Sequence, residues 1–151
     1  MSESEARIVN RIVVGVDGSA PSVAALTWAV SEASCHDAVL VAVTAWDLPL
    51  GIAGEAGALT VGALADELPA EARRQQDEAL SAVPHDGVEV ERVVEYGSPA
   101  RVLLAQAENA DLLVVGARGH GGFVGLLIGS VSQQCATHAV CPTVIVPPPA
   151  D

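Results

Sequence analysis

The chain has 151 residues, of which 50% are hydrophobic, 17% are charged and 3% are aromatic. This length suits one domain with a sizeable core, and the composition excludes a disordered chain, a collagen-like repeat and a disulfide scaffold. The formal net charge is −12, so we expect no binding to nucleic acid or to an anionic membrane. All seven basic residues are arginine, and the absence of lysine excludes a Walker A loop and Schiff-base chemistry.

From its sequence we expect the protein neither to be exported nor to insert into a membrane. The opening MSESEARIVNR is polar and acidic, unlike a signal peptide, and no apolar run approaches the roughly 18 residues of a membrane span. The three cysteines, Cys35, Cys135 and Cys141, form no CxxC pair. We therefore expect a cytoplasmic protein with free thiols.

Short apolar runs alternate with helical patterns along the chain. The runs predict strands at 12–16, 38–46, 88–96, 111–116 and 143–147, and the patterns predict helices at 21–34, about 65–83, 99–109 and 130–138. Ser19 and Ser98 precede prolines in the first helical turn and are expected N-caps. Ser130, with Gln133 three residues later, predicts a capping box.

Alternation of this kind predicts a doubly wound α/β domain with a five-stranded parallel sheet covered by helices on both faces. In the third run the glutamates Glu89, Glu91 and Glu95 interrupt the apolar residues, which indicates an edge strand. The strand order 3-2-1-4-5 follows, with a ligand crevice beyond the carboxyl ends of strands 1 and 4.

The predicted organisation is one domain at 11–147, with polar tails at 1–10 and 148–151. Two long connections interrupt the pattern. The first, 48–62, is rich in glycine and alanine and is expected to be a flexible loop on the ligand side of strand 2. The second follows strand 4 and occupies 117–128.

This second connection lies within residues 116–134, which read GARGHGGFVGLLIGSVSQQ. Six glycines fall within the first fourteen residues of this stretch. Glycines allow backbone N–H groups to approach an anion, and the following helix N-terminus adds partial positive charge. Arg118 and His120 would be additional donors. The stretch is therefore either a phosphate-binding loop or an ordinary glycine-rich connection. It does not match GxGxxG, because Val124 occupies the sixth place, and no GK[ST] is present.

The stretch does match G-x2-G-x9-G-[ST], through Gly116, Gly119, Gly129 and Ser130. In this respect it resembles the ATP-binding branch of the universal stress protein family. The segments IVVGVDGS, YGSPARVLL, DLLVVGARGHGG and CPTVIVP stand in the same order as in that family, so the resemblance covers almost the whole chain. It implies an adenine nucleotide alpha hydrolase-like fold and a cytosolic homodimer that binds ATP.

The resemblance also implies a set of ligand contacts. Those expected at the adenosine are Gly15, Asp17 and Val43, the last through its backbone. Those expected around the ribose and phosphates are Gly116, Ala117, Arg118, Gly119, His120 and Gly122. Those expected to present helix N-terminal amides to the β- and γ-phosphates are Gly129, Ser130 and Val131. A Mg²⁺ ion accompanying ATP would be held mostly by phosphates and water.

Several residues have two interpretations. Asp17 either contacts the ligand or caps the turn DGS. Ser130 is either an N-cap alone or, as the family suggests, also a site of autophosphorylation. Trp46 either borders the adenine or covers the sheet edge. Cys135, His138 and Cys141 are spaced like metal ligands but lack a fourth partner nearby, so packing is the better account and no metal site is assigned.

The leading hypothesis is an ATP-binding regulator of the stress response, with a downstream protein partner that the sequence does not identify. The alternatives are a slow ATPase or autophosphorylating enzyme at the same site, and a flavin or electron-transfer protein, which the low aromatic content disfavours. No HExxH, nucleophile elbow or Ser–His–Asp pattern is evident, so no catalytic residue is assigned.

The apolar strand 143–147 would form the sheet edge, where pairing with a second copy gives a homodimer. The prolines that follow this strand would prevent the pairing from extending further.

Overall fold

A computed structural model describes residues 8–48, 57–118 and 128–148. Within these ranges five strands alternate with four helices. In chain order the elements are β1 (Arg11–Gly15), α1 (Ala20–His36), β2 (Val39–Trp46), α2 (Gly57–Ala82), β3 (Val90–Tyr96), α3 (Pro99–Ala107), β4 (Leu112–Gly116), α4 (Ser130–His138) and β5 (Thr143–Val146). Across these same ranges, no helix is both long and apolar enough to cross a bilayer.

The strands form one parallel sheet in the order β3-β2-β1-β4-β5, which confirms the predicted topology. The edge position of β3 agrees with its glutamates, because Glu91 and Glu95 are exposed. The central strand β1 is apolar at every buried position, since it pairs with a strand on each side and is covered by helices on both faces.

Two apolar clusters cover the two faces of the sheet. On one face, α1 and α2 pack against residues such as Val14, Leu40 and Val114. On the other face, α3 and α4 pack against Val13 and Leu113 among others. Because both faces of β1 and β4 are covered by helices, a ligand can reach these strands only at their ends.

The segment that connects β2 to β3 departs from the prediction. The helix α2 begins at Gly57, whereas the sequence predicted a loop over 48–62 and a helix from about residue 65. The glycines suggested a loop, but the alanine and leucine residues between them are strong helix formers. Pro69 lies inside this helix, and the buried side chains described in it, Ala72, Gln76, Ala79 and Leu80, all follow that proline. The remainder of the predicted loop, 49–56, lies outside the described residues.

The predicted N-cap positions are correct at α1 and α3 and wrong at α4. Ser19 is the N-cap of α1, and its hydroxyl accepts a hydrogen bond from the backbone N–H of Ser22. Ser98 is the N-cap of α3 but makes no side-chain capping bond. Ser130 is not an N-cap: Gly129 occupies that position with extended backbone, and Ser130 is the first helical residue. The expected capping box is therefore wrong by one position.

Candidate functional site

A cleft of about 240 Å³ opens at the carboxyl ends of β1, β2 and β4, where the strand order reverses. The sequence-predicted site residues that line it are Gly15, Asp17, Val43, Gly116, Arg118, Gly129, Ser130 and Val131. Residues far apart in sequence are thus brought together by the parallel sheet. Of the other predicted site residues, Gly119, His120 and Gly122 lie outside the described residues.

Ala117 is placed differently from the other predicted residues, because it connects the elements behind the cleft. It is 4% exposed, and its N–H donates to the carbonyl oxygen of Val146 at 2.8 Å. Its own carbonyl oxygen accepts hydrogen bonds from the N–H of Gly129 at 2.6 Å and from the hydroxyl of Ser132 at 3.0 Å. Ala117 therefore joins the end of β4 to β5 and to the start of α4.

Asp17 organises the turn between β1 and α1. Its Oδ1 accepts hydrogen bonds from the N–H of Ser19 at 2.9 Å and from the Ser19 hydroxyl at 2.5 Å. Its own N–H donates to the hydroxyl of Ser22 at 3.3 Å. The carboxylate thus caps the turn while the residue lines the cleft, so the two interpretations of Asp17 are compatible.

The glycines at the strand ends have packing reasons of their own. A Cβ atom on Gly116 would lie 2.8 Å from the carbonyl oxygen of Pro21, so glycine allows α1 to approach β4 closely. A Cβ atom on Gly15 would lie 3.1 Å from a methyl group of Leu103. Glycine at these two positions is therefore explained in part without any ligand.

Sequence reasoning missed several residues that line the cleft: Val16, Ser22, Ala45, Pro99, Leu103, Val115 and Ser132. Most are apolar and resemble ordinary core residues in the sequence. Ser22 and Ser132 are buried, at 5% and 2% exposed, yet each looks like a surface residue of an amphipathic helix. The only sequence signal for Pro99 and Leu103 was their place in YGSPARVLL.

The polar character of the cleft is mixed. Among the described lining residues, Asp17 and Arg118 carry the charges, and they come from the ends of β1 and β4. Ser130, Val131 and Ser132 form the first turn of α4, where backbone N–H groups have no acceptor within the helix. The partial positive charge of this helix end adds to that of Arg118, so this side of the cleft suits an anion.

Trp46 is the last residue of β2 and packs against a neighbouring aromatic ring. The ring of Trp46 packs edge-to-face on that of Tyr96, the neighbouring residue on β3, with centroids 5.0 Å apart. This contact favours the interpretation that Trp46 covers the sheet edge.

Cys135 is fully buried between α4 and the sheet, and this burial raises the pKa of its thiol to about 11. Cys135 is therefore a core residue.

The fold and the cleft define a doubly wound α/β protein with a cleft at its topological switch point. The model of the universal stress protein family matches residues 9–147. A universal stress protein of Mycolicibacterium smegmatis is 38% identical over 143 residues, which cover 91% of this chain and 45% of that protein. The chain belongs to the universal stress protein family, and it spans about half the length of the curated relatives it matches.

Solved structures show the same fold. The universal stress protein UspA from Lactobacillus plantarum superimposes with a TM-score of 0.74 at 26% identity, covering 94% of this chain and 99% of that one. A universal stress protein in complex with cAMP superimposes with a TM-score of 0.62 at 27% identity, covering 95% of this chain and 100% of that one.

Proposed function

We propose that the cleft binds an adenine nucleotide, and that ATP is its ligand. The observation that carries this proposal is the position of the α4 N-terminus and Arg118 beside an apolar pocket at the switch point of the sheet. A nucleotide has the matching character, with an apolar base and an anionic chain. The cAMP complex of a relative that is 27% identical over 95% of this chain supports the adenine part of the proposal.

The base and sugar would occupy the part of the cleft between β1, β2 and α3. Val43, Ala45 and Leu103 supply apolar contacts there. The carbonyl oxygen of Val43 already accepts the N–H of Val16 at 2.8 Å, so a backbone contact to adenine would use its second lone pair. The cleft volume of about 240 Å³ suits a nucleoside, with the phosphates directed outward.

The phosphates would meet the first turn of α4. Gly129, Ser130 and Val131 would direct backbone N–H groups at them, and Arg118 would add a forked contact. The loop residues Gly119, His120 and Gly122 would complete the enclosure, as the G-x2-G-x9-G-S motif implies. If Mg²⁺ accompanies ATP, Asp17 is the carboxylate best placed to bind it through water, because it lines the same cleft.

Binding can be tested by titration calorimetry with ATP, cAMP, GTP and adenosine. We expect ATP to bind and Arg118→Gln to weaken ATP binding about tenfold or more while leaving adenosine binding unchanged. Arg73→Gln is the matched control, because Arg73 is exposed on α2 and the change in net charge is the same. Wild-type protein that binds no adenine nucleotide would overturn the proposal, and ADP release during incubation would indicate a slow ATPase.

We further propose that the protein is a cytoplasmic regulator whose nucleotide state alters its interaction with a protein partner, and that it forms a homodimer. The support for the dimer is β5, an edge strand of apolar and β-branched residues that is only partly buried. Pairing of β5 between two copies would satisfy its unpaired backbone groups. Pro147 and Pro148 follow directly and donate no hydrogen bond, so the ladder would stop there.

A further inference from the structure

Few polar side chains are buried in the described part of the chain, and all of them hydrogen-bond to backbone or to one another. They are Ser22, Thr44, Gln76 and Ser132. Burial of a polar group is costly unless it is hydrogen-bonded, so each of these residues requires a structural reason. Ser132 bonds to the backbone between β4 and α4. Thr44 and Ser22 bond to a different place, the peptide group that joins Val16 to Asp17, and Gln76 bonds to Thr44.

This peptide group is held from both sides by hydroxyl groups. Its carbonyl oxygen, from Val16, accepts the hydroxyl of Thr44 at 2.8 Å. Its N–H, from Asp17, donates to the hydroxyl of Ser22 at 3.3 Å. Because a peptide group is planar, bonds to its two ends fix its rotation about the chain axis. The direction in which the chain continues into Asp17 is fixed with it.

Gln76 orients the hydroxyl of Thr44. Its side-chain nitrogen donates to the Thr44 oxygen at 3.0 Å, so the hydroxyl proton of Thr44 is left to bond Val16. The same nitrogen lies 3.0 Å from the carbonyl oxygen of Ala42 and 3.1 Å from that of Val93, on β2 and β3. Gln76 is 2% exposed and lies on α2, on the face of the sheet opposite α3 and α4.

Side-chain shape alone would not select these two residues. Thr44 lies in β2 among valine and alanine residues, where valine has nearly the same shape as threonine. Gln76 occupies a position of α2 beside Ala72, Ala79 and Leu80, where an apolar side chain would pack without a polar group to satisfy. What the polar pair adds is a defined orientation of the Val16–Asp17 peptide at the edge of the cleft.

We propose that Thr44 and Gln76 are positioning residues of the nucleotide site, acting through the Val16–Asp17 peptide to hold Asp17 at the cleft. This inference rests on the proposed nucleotide binding. It also links α2 to the site, because Gln76 belongs to that helix. By thermodynamic reciprocity, a ligand that prefers the oriented peptide must in turn favour the hydrogen bonds that Gln76 makes.

The first test removes and restores one hydroxyl group. We expect Thr44→Val to weaken ATP binding about tenfold, because the Val16 carbonyl loses its partner. Thr44→Ser retains the hydroxyl and should bind ATP as the wild type does. Thr27→Val is the matched control, since Thr27 is exposed on α1 and its hydroxyl bonds only within that helix, to Val23. The carbonyl carbon resonance of Val16 should shift in Thr44→Val and stay unchanged in Thr27→Val.

The second test follows Gln76 directly by nuclear magnetic resonance. The Gln76→Leu variant lacks the side-chain amide signal of Gln76 and so identifies that signal. We expect Gln76→Leu to weaken ATP binding and Gln106→Leu to leave ATP binding unchanged. Gln106 is the control because it bonds Glu95 at the surface. In wild-type protein, ATP should shift the Gln76 amide signal even though that side chain lies behind β2. A shift of this signal on ATP addition would support the link between α2 and the site.

The outcomes distinguish this inference from the proposed function. Wild-type protein that binds no adenine nucleotide would overturn both. Wild-type binding that is unchanged in folded Thr44→Val, or a Thr44→Ser variant as weak as Thr44→Val, would overturn the positioning role alone. If Thr44→Val does not fold, Gln76→Leu decides in the same way, since unchanged ATP affinity in that variant would contradict the proposal.

Discussion

The hydroxyl of Ser132 donates a hydrogen bond of 3.0 Å to the carbonyl oxygen of Ala117, fifteen positions earlier in the chain. It also lies 3.0 Å from the carbonyl oxygen of Gly129, so one buried hydroxyl joins the two ends of the connection between β4 and α4. We expect Ser132→Ala to lower the free energy of unfolding by about 1–3 kcal/mol, because the two carbonyl groups lose a buried donor.

Denaturant unfolding measures this effect. Thr137→Ala on the same helix is the control, since the Thr137 hydroxyl is exposed and bonds only to Gln133 within α4. Equal losses of stability in Ser132→Ala and Thr137→Ala would contradict the role assigned to Ser132.

Two glycine substitutions should change stability in opposite directions. Gly116→Ala places a methyl group 2.8 Å from the Pro21 carbonyl oxygen, so α1 must move and we expect a loss of about 1–3 kcal/mol. Gly62→Ala places a methyl group in open space within α2 and should stabilise the protein by up to about 1 kcal/mol, because alanine favours the helix. Thermal unfolding of both variants provides the comparison. A Gly116→Ala variant as stable as the wild type would contradict the close contact between the end of β4 and the Pro21 carbonyl oxygen of α1.

Gly129→Asp should separate ligand binding from folding. Gly129 has φ −75° and ψ 170°, which any residue can adopt, and aspartate is a favourable N-cap. The variant should therefore fold with unchanged or slightly higher stability, while its carboxylate repels phosphate at the start of α4. We expect a loss of ATP affinity of about 100-fold by calorimetry, with Gly129→Asn as the uncharged control. Unchanged ATP affinity in folded Gly129→Asp would show that the phosphates do not bind at this helix end.

The strand β5 provides a test of assembly. Wild-type protein should scatter light as a dimer at tens of micromolar, and Val144→Lys should shift it toward monomer, because a charge enters the apolar strand. Val140→Lys is the control, since Val140 is 75% exposed and lies outside the strand. ATP binding should persist in both variants, because Val144 and Val140 do not line the cleft. A monomeric wild type at these concentrations would rule out the proposed interface.

Burial of the Cys135 thiol predicts a pH dependence of both reactivity and stability. With its pKa raised to about 11, Cys135 stays protonated in the folded state at pH 8 and should resist a thiol reagent that labels the exposed Cys35. Because the folded-state pKa lies above the ordinary value of 9.0, the folded state binds the proton more tightly. Its contribution to stability is full below pH 9 and is lost as the pH rises toward 11.

Protein carrying both Cys35→Ser and Cys141→Ser retains Cys135 alone, and its labelling at pH 8 with and without denaturant makes this measurement. Rapid labelling of Cys135 in the folded variant would contradict the burial of its thiol, whereas labelling only after unfolding would agree with it.

The fold could be predicted because its determinants are local. The apolar runs marked the strands, and Glu91 and Glu95 marked the edge strand without knowledge of any contact. The start of α2 could not be predicted in this way, because Gly57 and Gly62 suggest a loop when the neighbouring helix formers are weighed one at a time. The position of the α4 N-cap depended on the backbone of Gly129, which the sequence does not reveal.

Several glycines and charged residues that line the cleft were predicted from the sequence, whereas the residues that support the cleft were not. Thr44 lies within an apolar strand and Gln76 within a polar stretch of α2, so neither attracts attention in the sequence. Their hydrogen bonds span 28 and 32 positions of the chain, and only the packed structure defines such contacts. Ala117 was predicted as a ligand contact; it is not among the residues that line the cleft, and its backbone joins β4, β5 and α4.

The proline within α2 divides that helix into two parts that differ in the burial of their described side chains. Before Pro69, no side chain that the structure describes is buried, whereas Ala72, Gln76, Ala79 and Leu80 anchor the later turns. Pro69 also removes one hydrogen bond from the helix interior. We therefore expect the turns at 62–68, whose side chains the structure describes, to open without disturbing the core, and their amides to exchange with solvent through a local fluctuation. The amides around Gln76 should exchange only when the whole domain unfolds.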